Sequence, residues 1–228
     1  MYKKYRAVII TGNFFVNLLN CTLEKTDRSV YNIFIMSKGS ETKERLLQMA
    51  TDMMCQKGFG ATSVNDLLQA SGLKRGTLYY HFPGKDDLGL AVLERVRTMF
   101  FTAVDAALAD ADPFQGLCNF FDFALELQRK KCFVGGCLFG NLALEMSDND
   151  SGYMTFTKKI FQEWISKIED VVRRGQQAGK IRTDIDAVNM AQMIVSSLEG
   201  GIMLSRLGKN EQPLRNCLEL LRKFVKDN

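Results

Sequence analysis

One histidine, one tryptophan and three prolines in 228 residues leave little material for several familiar kinds of site. With a single histidine, and six cysteines scattered without a CxxC pair, no zinc constellation can be assembled and no metal or cofactor is expected. Unpaired thiols of this kind suit a reducing compartment, so the chain is read as cytoplasmic. Scarce proline beside abundant Leu, Met, Ala, Glu, Lys and Gln favours helix, and the fold class expected is all-α. No internal repeat or low-complexity tract stands out. Neither charge sign dominates: the net charge is +4, and residues 1–36 hold five Lys/Arg against two Asp/Glu, which leaves the remainder balanced at 25 against 24. Any basic surface must therefore be local.

What is present is concentrated between Thr62 and Phe82. Thr62 or Ser63 can start a short helix by accepting from first-turn amides, and Asp66 three residues after Ser63 makes a capping box. Val64, Leu67 and Leu68 form its apolar face, and Ser71-Gly72 stops it. After Leu73 a second helix opens with Lys74, Arg75, Gly76 and Thr77, and Pro83-Gly84 ends it. A helix-turn-helix places the start of its second helix against base edges in the major groove, where cations and slim side chains are needed. Tyr79, Tyr80, His81 and Lys85 follow, with donors suited to phosphate oxygens.

The run Gly76-Thr77-Leu78-Tyr79-Tyr80-His81-Phe82-Pro83-Gly84-Lys85-Asp86-Asp87-Leu88 resembles the signature of TetR-family one-component repressors, and the resemblance extends from about Ser40 to Leu88. It implies a dimer on palindromic double-stranded DNA, released by a small-molecule effector. The DNA-contacting residues expected are Thr62, Ser63, Lys74, Arg75, Gly76, Thr77, Tyr79, Tyr80, His81 and Lys85.

The flanking sequence fits a three-helix head, a connector helix and a helical body. Leu46, Ala50, Met53 and Met54 recur at helical spacing between Glu41 and Lys57, and Gly58-Phe59-Gly60 follows. Leu88, Ala91, Val92, Val96 and Phe100 stripe a connector. A further helix runs from Phe114 to the basic triplet Arg129-Lys130-Lys131, which suits a helix C-terminus. Another spans Gly152 to Gly179, and two last helices, Asp184 to Leu207 and Glu211 to Lys226, carry apolar stripes. Ser196, Ser197, Gly200 and Gly201 allow close helix approach. In the resembled family such a terminal pair builds the homodimer interface.

Cys132 to Glu145 resembles a Gly-Cys-Leu, Asn-Leu-Ala segment of one group of TetR C-terminal domains that includes electrophile and drug sensors. A glycine-rich entry and a lone amide among apolar residues can line a pocket. The effector residues expected are Cys132, Cys137, Phe139, Asn141, Phe161 and Trp164. Two cysteines near a helix start and basic residues can instead form a thiol switch with a lowered pKa, or can simply be packed. An enzyme using Cys132 or Cys137 would need His81 as base, and His81 belongs to the DNA motif, so no catalytic residue is assigned. An architectural DNA-binding protein with no effector is the remaining alternative.

The domains expected are residues 1–36 as an N-terminal extension, 37–88 for DNA binding and 89–228 for effector binding and dimerisation. The extension has three readings. Lys3, Lys4 and Arg6 before the apolar run Ala7 to Leu19 look like a short signal sequence, but Gly12, Asn13 and Asn17 interrupt the run and no membrane span is expected. It can be an arm of the protein. Or Met36 is the start and the preceding codons are upstream DNA. One choice of synonymous codons for Thr26 to Tyr31 contains the palindrome AGACCGATCGGTCT, flanked by TTGAAA at Leu23-Glu24-Lys25 and TATAAT at Tyr31-Asn32, as an autoregulated promoter would be.

Overall fold

The computed structural model describes residues 38–146, 148 and 152–226, and every regular element among them is helical. The readings of residues 1–36 and of Met36 lie outside the described residues. The chain divides into two compact units, one ending at Met99 and one beginning at Phe100. The division falls inside a helix, later than the expected boundary after Leu88. The cause is physical: Leu88, Val92, Leu93 and Val96 are buried, and Arg95 binds Glu44 and Gln48 of the first helix, so the first half of this connector belongs to the head.

The first unit contains α1 (Lys38–Lys57), α2 (Val64–Ser71), α3 (Arg75–His81) and the start of α4 (Lys85–Leu108). Leu46, Ala50 and Met54 of α1 are buried with Leu67 of α2, Leu78 of α3 and Phe59, a spacing that puts one stripe of each helix inward. Ser63 caps α2, as the capping box requires: its hydroxyl accepts from the Asp66 amide, and its own amide donates to the Asp66 carboxylate at 2.9 Å. The α2 helix stops at Gly72, whose φ of 66° costs a glycine nothing and would strain most other residues. Arg45 of α1 donates to the Ser71 carbonyl at 2.9 Å, tying the first helix to the turn of the motif.

The second unit holds the end of α4 and five further helices: α5 (Pro113–Lys130), α6 (Leu138–Met146), α7 (Gly152–Gln177), α8 (Ala187–Gly208) and α9 (Gln212–Val225). Asp112 caps α5 ahead of Pro113, and Asp186 caps α8, which moves the start of α8 from the expected Asp184 to Ala187. Ile181 meanwhile makes an antiparallel bridge to Lys226. The α8 helix packs between α7 and α9, and α5 and α6 pack on α7. Gly201 gives α8 and α9 their close approach, since a Cβ there would meet Leu214 and Cys217 at 3.1–3.3 Å. No helix among the described residues is long and apolar enough to cross a membrane.

Candidate functional site

The candidate DNA-contacting surface is built outward from the α2 and α3 backbones. Lys74 is the N-cap of α3, so the helix proper opens at Arg75, and Lys74, Arg75, Gly76, Tyr79 and Tyr80 are exposed. Gly76 faces open space, where an added Cβ would touch nothing in the protein. Tyr80 is 83% exposed with its ring edge-on to His81, while Leu78, two residues earlier, is buried and fixes the helix to the core. The Arg75 guanidinium donates to Asn65 Oδ1 of α2 at 2.7 Å, so Asn65 positions the cation that opens α3. Asn65 was missed in the sequence because nothing in its own neighbourhood marks a partner ten residues on. Thr62 needs correction: it is fully buried and its hydroxyl donates to the Gly58 carbonyl at 2.9 Å, so it closes the turn before α2 and has no group left for DNA.

A second site lies wholly in the other unit. A cavity of about 420 Å³ is walled by α6, α7 and α8, with Phe161, Ile165, Val195 and Ile202 among its apolar lining and Glu199 as its one acid. The volume suits a small molecule. Cys137, Asn141 and Phe161 line it; Cys132, Phe139 and Trp164 do not. Cys132 is exposed in a turn where Cys132, Phe133, Gly135 and Gly136 all have positive φ. Phe139 and Trp164 are instead core, both edge-on to Phe100, with Trp164 stacked on Phe161. Phe161 thus has one side in the core and lines the cavity as well.

The polar groups of the cavity are held by one another. Arg206 donates to Asn141 Oδ1 at 2.7 Å, and Asn141 Nδ2 donates to the Gly135 carbonyl at 2.7 Å, which pins the glycine turn against α8. The Cys137 thiol lies beside the Glu199 carboxyl, and the Gly140 amide donates to its sulfur at 3.4 Å. Burial first, and then the Glu199 charge, push the Cys137 thiol well above its ordinary value. This corrects the expectation of a lowered thiol pKa: the neighbour that matters is an acid. Burial raises the Glu199 carboxyl too. Among the described residues no group of acids, cysteines and histidines could hold a metal ion.

Residues 46–92 match the model of bacterial regulatory proteins of the tetR family, and residues 113–221 match the tetracyclin repressor-like C-terminal domain. The chain belongs to the TetR family of transcriptional regulators. It is 26% identical over 181 residues to the repressor DhaR of Mycobacterium sp. (strain GP1), covering 78% of this chain and 89% of that one. It is 29% identical over 199 residues to the regulator LmrA of Bacillus subtilis, covering 84% of this chain and all of that one. The crystal structure of a regulatory protein TetR from Rhodobacter sphaeroides superposes with a TM-score of 0.76 at 26% identity, covering 82% of this chain and all of that one. As a TetR-family member the protein is a DNA-binding regulator and not an enzyme, and its helix-turn-helix is α2 and α3.

Proposed function

We propose that the protein is a cytoplasmic TetR-type repressor whose dimer holds a palindromic operator and lets go when a small molecule enters the cavity between α6, α7 and α8. The observation that carries the DNA half is the exposed Lys74, Arg75 and Gly76 at the opening of a helix anchored by buried Leu78. In this reading Lys74, Arg75, Gly76 and Thr77 meet base edges, and Ser63, Tyr79, Tyr80, His81 and Lys85 meet phosphates. Pairing through α8 and α9 is supported by Leu204 and Leu207 of α8 and Leu220 of α9, large apolar side chains left exposed. Two identical reading helices require a two-fold symmetric site.

An effector then acts by favouring a spacing of the two reading helices that no longer fits the half-sites. A reversible ligand suits the cavity better than a thiol switch, because a thiol that stays protonated beside a carboxyl is a poor nucleophile. Because synonymous codons for Thr26 to Tyr31 can spell a two-fold symmetric site, the gene's own upstream DNA is the first operator to test. Footprinting on that DNA should protect the palindrome, and Leu207→Glu with Leu220→Glu should leave a folded monomer without protection. Protection by the monomer, or none by the wild type on this or any symmetric upstream site, would refute the reading.

A further inference from the structure

Glu199 is the only acid lining the cavity among the described residues, and only part of its carboxyl is accounted for. Its Oε2 occupies space that a Cβ at residue 140 would invade at 2.0 Å, so a glycine there is what admits it. The Cys137 thiol lies beside the carboxyl, yet Oε1 is buried and has no hydrogen-bond partner. A buried acceptor left unmade is costly, and in a native protein such an atom calls for an explanation. No ion pair to Glu199 exists among the described residues. Arg206, the one cation lining the cavity, is hydrogen-bonded to Asn141.

We propose that the cavity selects small apolar molecules that carry an ammonium group, the cation donating to Glu199 Oε1 while the apolar part lies along Phe161, Ile165, Val195 and Ile202. The inference rests on the reading of this cavity as the effector site and names the effector's chemistry. An N–H donor satisfies the orphan oxygen. A neutral hydroxyl could do that as well, but a cation adds a charge-assisted bond in a poorly solvated place. An anion would face the carboxyl, with Arg206 hydrogen-bonded to Asn141 and Lys131 to the Gly136 carbonyl. The other charged or titratable groups facing Glu199 are Cys137 from the turn before α6, Lys131 from the end of α5 and Arg206 from its own helix, while α7 lends the cavity only Phe161 and Ile165. Burial raises the Glu199 carboxyl above its ordinary value, and a bound cation favours its charged form.

The test uses the full chain and three probes of matched size: phenethylamine, phenethyl alcohol and phenylacetate, titrated calorimetrically. The amine should bind about tenfold more tightly than the alcohol, with phenylacetate weakest. Glu199→Gln, checked for folding by circular dichroism, should abolish the amine's advantage. If that variant does not fold, the wild-type ranking decides by itself. Tighter or equal binding of the alcohol or the acid, or a preference that survives in Glu199→Gln, overturns the cation inference and leaves the effector site standing. Binding of none of the three overturns both.

Discussion

Lys74, Arg75 and Tyr80 stand exposed on the DNA-reading face, whereas the one acid of the cavity is turned inward with an oxygen unpaired. The two regions solve opposite problems. On the reading face, charge sits in water at little cost, and what has to be fixed is direction: Asn65 holds Arg75, and the Ser63–Asp66 box holds the start of α2. In the cavity, direction is given by packing, and what is expensive is the group itself, tolerated because Gly140 makes room for it. Recognition of a long, charged polymer needs many screened contacts in register. Recognition of a small molecule can rest on one poorly solvated contact.

The sharpest break in this comparison is Arg75→Ala. It should cost about 1–3 kcal/mol on the true operator and much less on random DNA, because a base-edge contact is lost and the phosphate contacts remain. Competition binding against random duplex measures the ratio. Equal losses on both would make Arg75 a phosphate contact. Asn65→Ala should show a smaller loss in the same direction, since it frees the guanidinium without removing it.

Gly140→Ala probes the other region. The new Cβ would lie 2.0 Å from Glu199 Oε2, the far end of a side chain, so the carboxyl swings away and the fold itself loses only about 1 kcal/mol. Operator affinity should stay at the wild-type level while the amine preference over the alcohol collapses, as read by titration of the same probes. A variant with unchanged probe selectivity would mean that the carboxyl position does not matter to binding.

The two regions also differ in how much of them the sequence discloses. The helix-turn-helix is local: Ser63, Asp66 and Gly72 cap and stop α2 through bonds that span three or four residues, and such signals can be read along the chain. Buried Thr62 was misread because the hydroxyl that suits an N-cap suits a turn equally, and only the observed bond to Gly58 separates them. The cavity is not local. Glu199 gains its character from Gly140 and Cys137, about sixty residues earlier, and no pattern around Leu198-Glu199-Gly200 signals that meeting. Phe139 and Trp164 could be recognised as inward-facing aromatics, but helical spacing is the same for a residue that fills a core and one that lines a hole. Cys137 lines the cavity, and the reading of it as a lowered-pKa thiol fails because burial, and after it the Glu199 charge, outweigh the basic residues nearby in sequence.

The gentlest test compares two carboxyls of the same unit that their surroundings drive in opposite directions. Glu211, half-buried at the start of α9, accepts from Arg129 at 2.6 Å and from Arg215 at 2.9 Å, and these partners bring its pKa from 4.5 down to about 2. Its support of the fold is therefore complete above 4.5, where the unfolded chain is ionised as well, and is lost as pH falls from there toward about 2. Glu199, raised by burial, behaves in reverse: its carboxyl costs nothing extra while protonated in both states and weighs against the fold as pH rises above its ordinary value. Urea unfolding over a pH series should show Glu211→Gln with a flatter acid limb than the wild type and an unchanged neutral limb, and Glu199→Gln with the opposite. Because the Glu211 cluster is open to solvent on one side, its effect should be small and should shrink further with added salt. An acid limb for Glu211→Gln that runs parallel to the wild type at low salt would show that the arginines do not hold this carboxylate in solution.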